Sequence, residues 1–166
     1  MKMILMVTML GGLIFGYLLF FLISTVSHDP EVWHVDPLLA EASTSPNDYR
    51  VAPLEMTKQP VDTPAPVYDE KALILAQAWD DFVLSQNDTV RIAGLPSELM
   101  MTYVQRTPRL KVPDYITVKF IELEEMRTTV AIYSRSRYGY GDLGVNKARI
   151  DSWLKTLSAF EITPEN

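Results

Sequence analysis

The stretch Ile132–Trp153, IYSRSRYGYGDLGVNKARIDSW, decides how the soluble part of this chain is read. A β-prone run beginning at Thr129 leads into alternating Ser and Arg, then into a loop holding Gly139, Gly141 and Gly144. Glycine reaches backbone conformations closed to other residues, so three so close together mark a turn. Beyond them Ile150, Trp153, Leu154 and Leu157 fall on one stripe, with Lys147, Asp151 and Lys155 on a charged face. That spacing predicts a helix from about Asn146 to Leu157. Asn146 lies in phase with the apolar stripe, so its amide is expected to bond the preceding loop or cap the helix.

Upstream, four short β-prone runs are separated by turn residues: Thr89 to Ala93, Met100 to Thr107, Tyr115 to Leu123 and Arg127 to Ser134. Gly94-Leu-Pro96, Pro108 to Pro113 and Glu124-Glu125 supply the breaks. Ile116, Val118 and Phe120 alternate with Thr117 and Lys119, while Val130 and Ile132 oppose Ala131 and Tyr133. This is the period of strands with one buried face. Short connections make the neighbours antiparallel. Ahead of them Ala72, Leu75, Ala76, Trp79, Phe82 and Val83 form one helical stripe, in a helix opened by Asp69 and running to about Ser85. At that spacing Trp79 and Phe82 read as core, not as a ligand wall. Residues 69–160 are therefore expected to form an α+β domain, an antiparallel sheet of about four to five strands with two helices on one face.

The N-terminal part has a different character. Met3 to Val26 contains no charged residue and suits a membrane span, for which about 20 apolar residues suffice. The rival is a cleaved signal peptide. Its apolar core is usually ~7–15 residues followed by an Ala-x-Ala site, and here only Thr25-Val26-Ser27 resembles one. Residues 1–27 therefore read as a transmembrane anchor embedded in the lipid bilayer. Lys2 precedes the span and Asp29, Glu31 and Asp36 follow it, which places the N-terminus in the cytoplasm and the bulk outside. Gly12 to Gly16 is a G-x-x-x-G, although glycines are common in such helices without pairing them. Residues 28–68 hold seven of the eleven prolines and read as a linker. Trp33, Val35, Leu38 and Leu39 are too apolar for a free tether, so part of it should lie on the domain, with Tyr49-Arg50-Val51 as a short strand.

Composition excludes several chemistries. Net charge is −6, which speaks against nucleic acid as a partner. There is no cysteine, hence no disulfide, thiolate metal site or Cys nucleophile. Two histidines, His28 and His34, leave little for a zinc site or a Ser-His-Asp triad. No pattern implies a cofactor.

If Val130 and Ile132 face the helices, Tyr133, Arg135 and Arg137 project from the opposite face, with Lys119. Arg offers planar recognition of phosphate or carboxylate, and a glycine loop at a helix start presents N–H groups to an anion. One reading is an anion site built from Arg135, Arg137, the loop and the helix start. The other is a clasp, in which Arg135, Arg137 and Arg149 pair with Asp142 and loop carbonyls. Asp114 and Asp142 are candidate paired carboxylates, although nothing in their spacing brings them together. Ser134 and Ser136 have no base within the motif. Tyr103, Tyr115, Tyr133, Tyr138 and Tyr140 either line a cleft or fill space with hydroxyls at the surface.

Ile132 to Ile150 resembles the signature of the domain-of-unknown-function 1499 family, an R-S-x-S-R-x-G-x-x-D-x-G-x-N-x-x-R-like turn. Ser134, Ser136, Arg137, Gly139, Asp142, Gly144, Asn146 and Arg149 match it, and Tyr133 replaces the first arginine. Trp33-His-Val-Asp-Pro37, Met101-Thr-Tyr-Val-Gln-Arg106 and Pro113-Asp-Tyr115 resemble its membrane-anchored bacterial members, with Val112 in place of the usual aromatic. The resemblance spans Trp33 to Leu157. It implies a bacterial envelope setting, with the anchor in the cytoplasmic membrane and the domain periplasmic or otherwise extracytoplasmic, and it implies that Arg137, Asp142, Asn146 and Arg149 act together. The expected function is a non-catalytic binding or assembly module for an anionic ligand or an envelope partner, contacted by Arg135, Arg137, Asn146 and Arg149 with Asp142 orienting the arginines. The alternative is a hydrolase or transferase using Asp114 or Asp142.

Overall fold

A computed structural model describes residues 2–162. In chain order the elements are α1 (Lys2–Ser24), α2 (Pro30–Trp33), β1 (Asp48–Ala52), β2 (Thr63–Pro64), β3 (Val67–Tyr68), α3 (Ala72–Leu84), β4 (Thr89–Leu95), β5 (Met100–Arg106), β6 (Pro113–Glu122), β7 (Thr128–Ser136) and α4 (Val145–Leu154), with a 3-10 helix at Lys155–Phe160. The architecture is α+β. The sheet runs β2-β1-β7-β6-β5-β4, and β3 pairs with the start of β7 beyond β1.

The meander β4 to β7 is antiparallel, and Tyr115 lies opposite Arg135 and Ile116 opposite Ser134. The sheet has more strands than the periodicity predicts and is mixed, because β1, β2 and β3 come from the proline-rich stretch and β2 runs parallel to β1. Pro64 sits in the edge strand β2, where a missing N–H is tolerated. α3 starts at Ala72, three residues after Asp69, and β4 extends past a register shift between Arg91 and Ala93 to Leu95. Past that shift, Gly94 has φ +76°, and a Cβ there would lie 2.0 Å from the Met100 carbonyl oxygen.

α3 and α4 cover one sheet face. Trp79 packs edge-on against Phe120 and Trp153, at ring separations of 6.3 and 5.9 Å. The other face is the main departure from a one-sided sheet: it is not left to water. Trp33 stacks on Tyr115 at 3.6 Å with the planes 4° apart. His34 Nδ1 meets the Thr102 hydroxyl, Thr117 donates to the Trp33 carbonyl, and Lys119 pairs with Asp36. Arg50, buried under this layer, donates to the Pro37 and Ala40 carbonyls and lies 4.3 Å from the Tyr133 ring centroid. Tyr133 donates to Asp48 and the Glu41 carbonyl, and burial together with the Asp48 bond pushes its pKa up to about 12. Polar residues on alternate positions of β5, β6 and β7 are thus satisfied by the chain between His28 and Glu41 instead of by solvent.

α1 is long and apolar enough to cross a membrane, with a window at Met6–Ser24 of mean hydropathy 2.3 and none of it buried. A signal sequence meets the same criterion.

Candidate functional site

The residues singled out in the sequence separate into two groups on opposite faces of the sheet. On the helix face, Arg149 is the hub. Its guanidinium donates to Asp114 at 2.5 Å, Gln105 at 2.7 Å, Asn146 Oδ1 at 2.7 Å and Ser134 Oγ at 3.2 Å. Asn146 is fully buried, as its phase with the apolar stripe predicts, and its amide donates to the Asn47 carbonyl and to Ser136 Oγ. Asn47 in turn donates to the Gly139 carbonyl at 2.8 Å. The glycine loop is therefore clamped from inside.

Asp142 does not orient an arginine. Its carboxylate accepts from the backbone N–H of Gly144 at 3.0 Å and of Asn146 at 2.7 Å, and so holds the first turn of α4. Gly144 has φ +78°, a left-handed conformation that suits glycine. Leu143, beside it, adopts φ +54° although it has a side chain.

On the other face Arg135 and Arg137 lie over the Trp33 ring, at 4.7 and 5.6 Å from its centroid. Arg137 donates to the Ser27 carbonyl at 2.9 Å and to the Tyr115 hydroxyl at 3.0 Å, and Arg135 donates to the Val32 carbonyl at 3.3 Å. Burial lowers the pKa of Arg135. At Arg137 burial is the largest single influence and acts in the same sense, but the hydrogen bonds and charge interactions with Tyr115 and Tyr138 together outweigh it and the pKa is raised.

Arg106 and His28 complete this cluster; Arg106 ends the Met101–Arg106 stretch that carries part of the resemblance, yet neither residue stood out as a site candidate. Arg106 donates to His28 Nε2 at 3.0 Å, so that nitrogen is the acceptor and Nδ1 carries the proton given to the Tyr115 oxygen at 2.7 Å. Burial, then Arg106 and Arg137, lower the pKa of His28. Nothing in the sequence links His28 to positions so far along the chain; only its closeness to the apolar segment was visible.

A cleft of about 740 Å³ opens between the β5–β6 connection, residues 107–112, and the glycine loop. Leu110, Val112, Tyr138, Leu143 and Val145 make its walls, and Asp114, Ser136 and Asp142 give it polar atoms. Both candidate carboxylates therefore border one cavity, yet each is occupied: Asp114 pairs with Arg149, and Asp142 with backbone amides. The Ser134 hydroxyl is buried against Asn146. Arg109 also lines the cleft and has no hydrogen bond or ion pair to a described residue. Among the described residues no three of His, Cys, Asp or Glu are grouped to hold a metal ion.

No curated protein and no solved structure matches the chain. The family described as "Protein of unknown function (DUF1499)" matches over residues 36–157, a span holding the sheet, both packed helices and the whole Arg149 clasp. The chain, with its Ser-Arg-Gly-Asp-Gly-Asn-Arg turn folded into that clasp, belongs to the DUF1499 family.

Proposed function

We propose that this chain is a single-pass membrane protein of the bacterial envelope that holds a non-catalytic binding domain outside the cytoplasm, with the cleft between the two loops as its ligand site. One observation carries the non-catalytic reading. The polar side chains that border the cleft are tied into a closed internal network, while the cleft itself stays open, apolar-walled and edged by the unpartnered Arg109. Such a site binds; it offers no free base or nucleophile. An anionic group on the ligand or partner is complementary to Arg109; Arg135 and Arg137 lie outside the cleft's lining, on the other face of the sheet, where they meet Val32, Ser27 and Tyr115. Asn146, Arg149 and Asp142 contribute by fixing the loop.

Retention of α1 as an anchor is supported by contacts at its end. Arg106 donates to the Ile23 and Val26 carbonyls at 3.1 and 3.4 Å. Cleavage near Thr25-Val26-Ser27 would remove partners that the domain uses.

The test is thermal melting of the full chain in detergent against inorganic phosphate, glycerol phosphates and divalent metals. An anion at a hundredfold excess over its Kd stabilises the folded state by about 2.7 kcal/mol. That rise in Tm should vanish in Arg109→Gln while the unliganded Tm stays put, whereas Arg137→Gln, which removes the bonds to Ser27 and Tyr115, should lower the unliganded Tm. A rise with divalent metals alone, together with hydrolytic turnover lost in Asp142→Asn, would favour the carboxylate-dependent hydrolase or transferase, to which the shared lining by Asp114 and Asp142 gives some support.

A further inference from the structure

We infer that the end of the domain carrying the cleft docks onto the headgroup layer of an anionic bilayer, so that the tips of both loops form a second membrane contact beside α1. This deepens the anchored reading above and rests on it. Strand directions put the start of β6, the end of β7 and both loops at one end of the sheet. Arg106 ties that end to α1: one guanidinium nitrogen donates both to the Lys111 carbonyl in the loop and to the Ile23 carbonyl in the last turn of the helix. The loops therefore lie where the apolar helix meets the domain.

Their tips are apolar and unusually bare. Leu110 is 65%, Tyr140 79% and Leu143 102% exposed. Leu143 holds its side chain outward and fully exposed, in a left-handed conformation that costs a non-glycine residue energy. Scattered exposed apolar residues need no explanation, but three on adjoining tips beside an apolar helix do.

Charge at this end opposes that of the molecule as a whole. The chain carries −6, yet Arg106, Arg109, Lys111 and Arg137 are gathered here. Of the acidic groups at this end, Asp88 pairs with Lys111, Asp142 with the helix-start amides and Asp114 with Arg149, while Asp29 accepts from the Glu31 N–H and Glu31 is exposed beside the end of α1. At the far end, the β4–β5 connection carries Glu98, β6 ends on Glu122, and the β6–β7 connection carries Glu124 and Arg127. Apolar and aromatic tips ringed by cations match the layering of an anionic membrane surface, acyl boundary below and phosphate above.

The absence of cysteine makes single-site labelling direct. Leu110→Cys, Tyr140→Cys and Leu143→Cys, each carrying an environment-sensitive NBD fluorophore, are reconstituted as full chains into phosphatidylglycerol-containing vesicles with doxyl-labelled lipids. Met126→Cys, exposed at the opposite end of β6, is the control for the domain, and Leu13→Cys, within α1, reports the anchor. Quenching at the three tips should exceed that at Met126 roughly twofold or more, and should fall in neutral phosphatidylcholine vesicles or with Arg109→Glu. Quenching at Leu13 with the tips no different from Met126 overturns the docking and leaves the anchor standing. No quenching at Leu13 overturns both.

Discussion

Arg149 joins α4 to β5, β6 and β7 through one buried guanidinium, and its side chain and that of Asp114 are 6% and 3% exposed. Burying such a pair is costly in itself, so the consequence of removing one partner is set by the charge left behind. Arg149→Met should destabilise the fold by about 3–5 kcal/mol in urea unfolding, and Asp114→Leu in the same chain should recover a large part of that loss. A double variant no better than the single one would show that Arg149 acts through Gln105 and Asn146 instead. The helical phase of Asn146 and the arginine-rich motif could be read from the sequence. The identity of the partner could not, because Asp114 lies on another strand and its register with Ser136 is set by the sheet, not by local spacing. Asp142, closer in sequence and of the right charge, was the natural choice, yet the backbone amides of its own loop claim it.

At the scale of elements, α4 depends on that loop carboxylate. Asp142→Ala leaves the Asn146 N–H without its acceptor and should cost about 1 kcal/mol, with Asp142→Asn costing less, again by equilibrium unfolding. The segment between α1 and β1 has a different sensitivity. Burial and two arginines lower the pKa of His28 below its ordinary 6.5, so the folded chain binds that proton more weakly than the unfolded chain does. Stability is therefore unaffected above this value and falls as the pH drops below it, where the unfolded chain takes up the proton and the folded one resists. Amide protection factors across residues 25–36, which remove the intrinsic pH dependence of exchange, should fall between about pH 7 and pH 5, and His28→Gln should flatten that dependence. Loss of protection confined to the glycine loop would place the sensitive group elsewhere.

Over the whole molecule, periodicity revealed one side of the sheet and concealed the other. Thr117, Tyr133 and Lys119 alternate with apolar residues as they would on a wet face, and a buried polar residue with a partner has the same pattern as a solvated one. The four meander strands and both packed helices were visible for that reason, as was a strand at Tyr49–Val51. Of the covering layer, Trp33, Val35, Leu38 and Leu39 gave only the expectation that part of it lies on the domain; which face it covers and which residues it meets were hidden, since prolines interrupt every regular pattern in it. A soluble chain begun at residue 42 loses Trp33, Asp36 and the carbonyls that hold Arg50, and should melt roughly 10 °C below one begun at residue 25. Equal melting would make that layer ornamental to the fold.

That layer also bears on reach. A free linker of roughly forty residues spans about 35 Å root-mean-square and would let a tethered domain search a wide dome of space. Here the first stretch after α1 is fastened down by Arg106, Arg137 and Tyr115 within four residues of the helix end, and by Lys119 at Asp36. On the anchored reading the domain turns and tilts with its span and stays at one height above the bilayer. Whatever it binds must come to that plane, and any rotation of the helix is passed directly to the cleft.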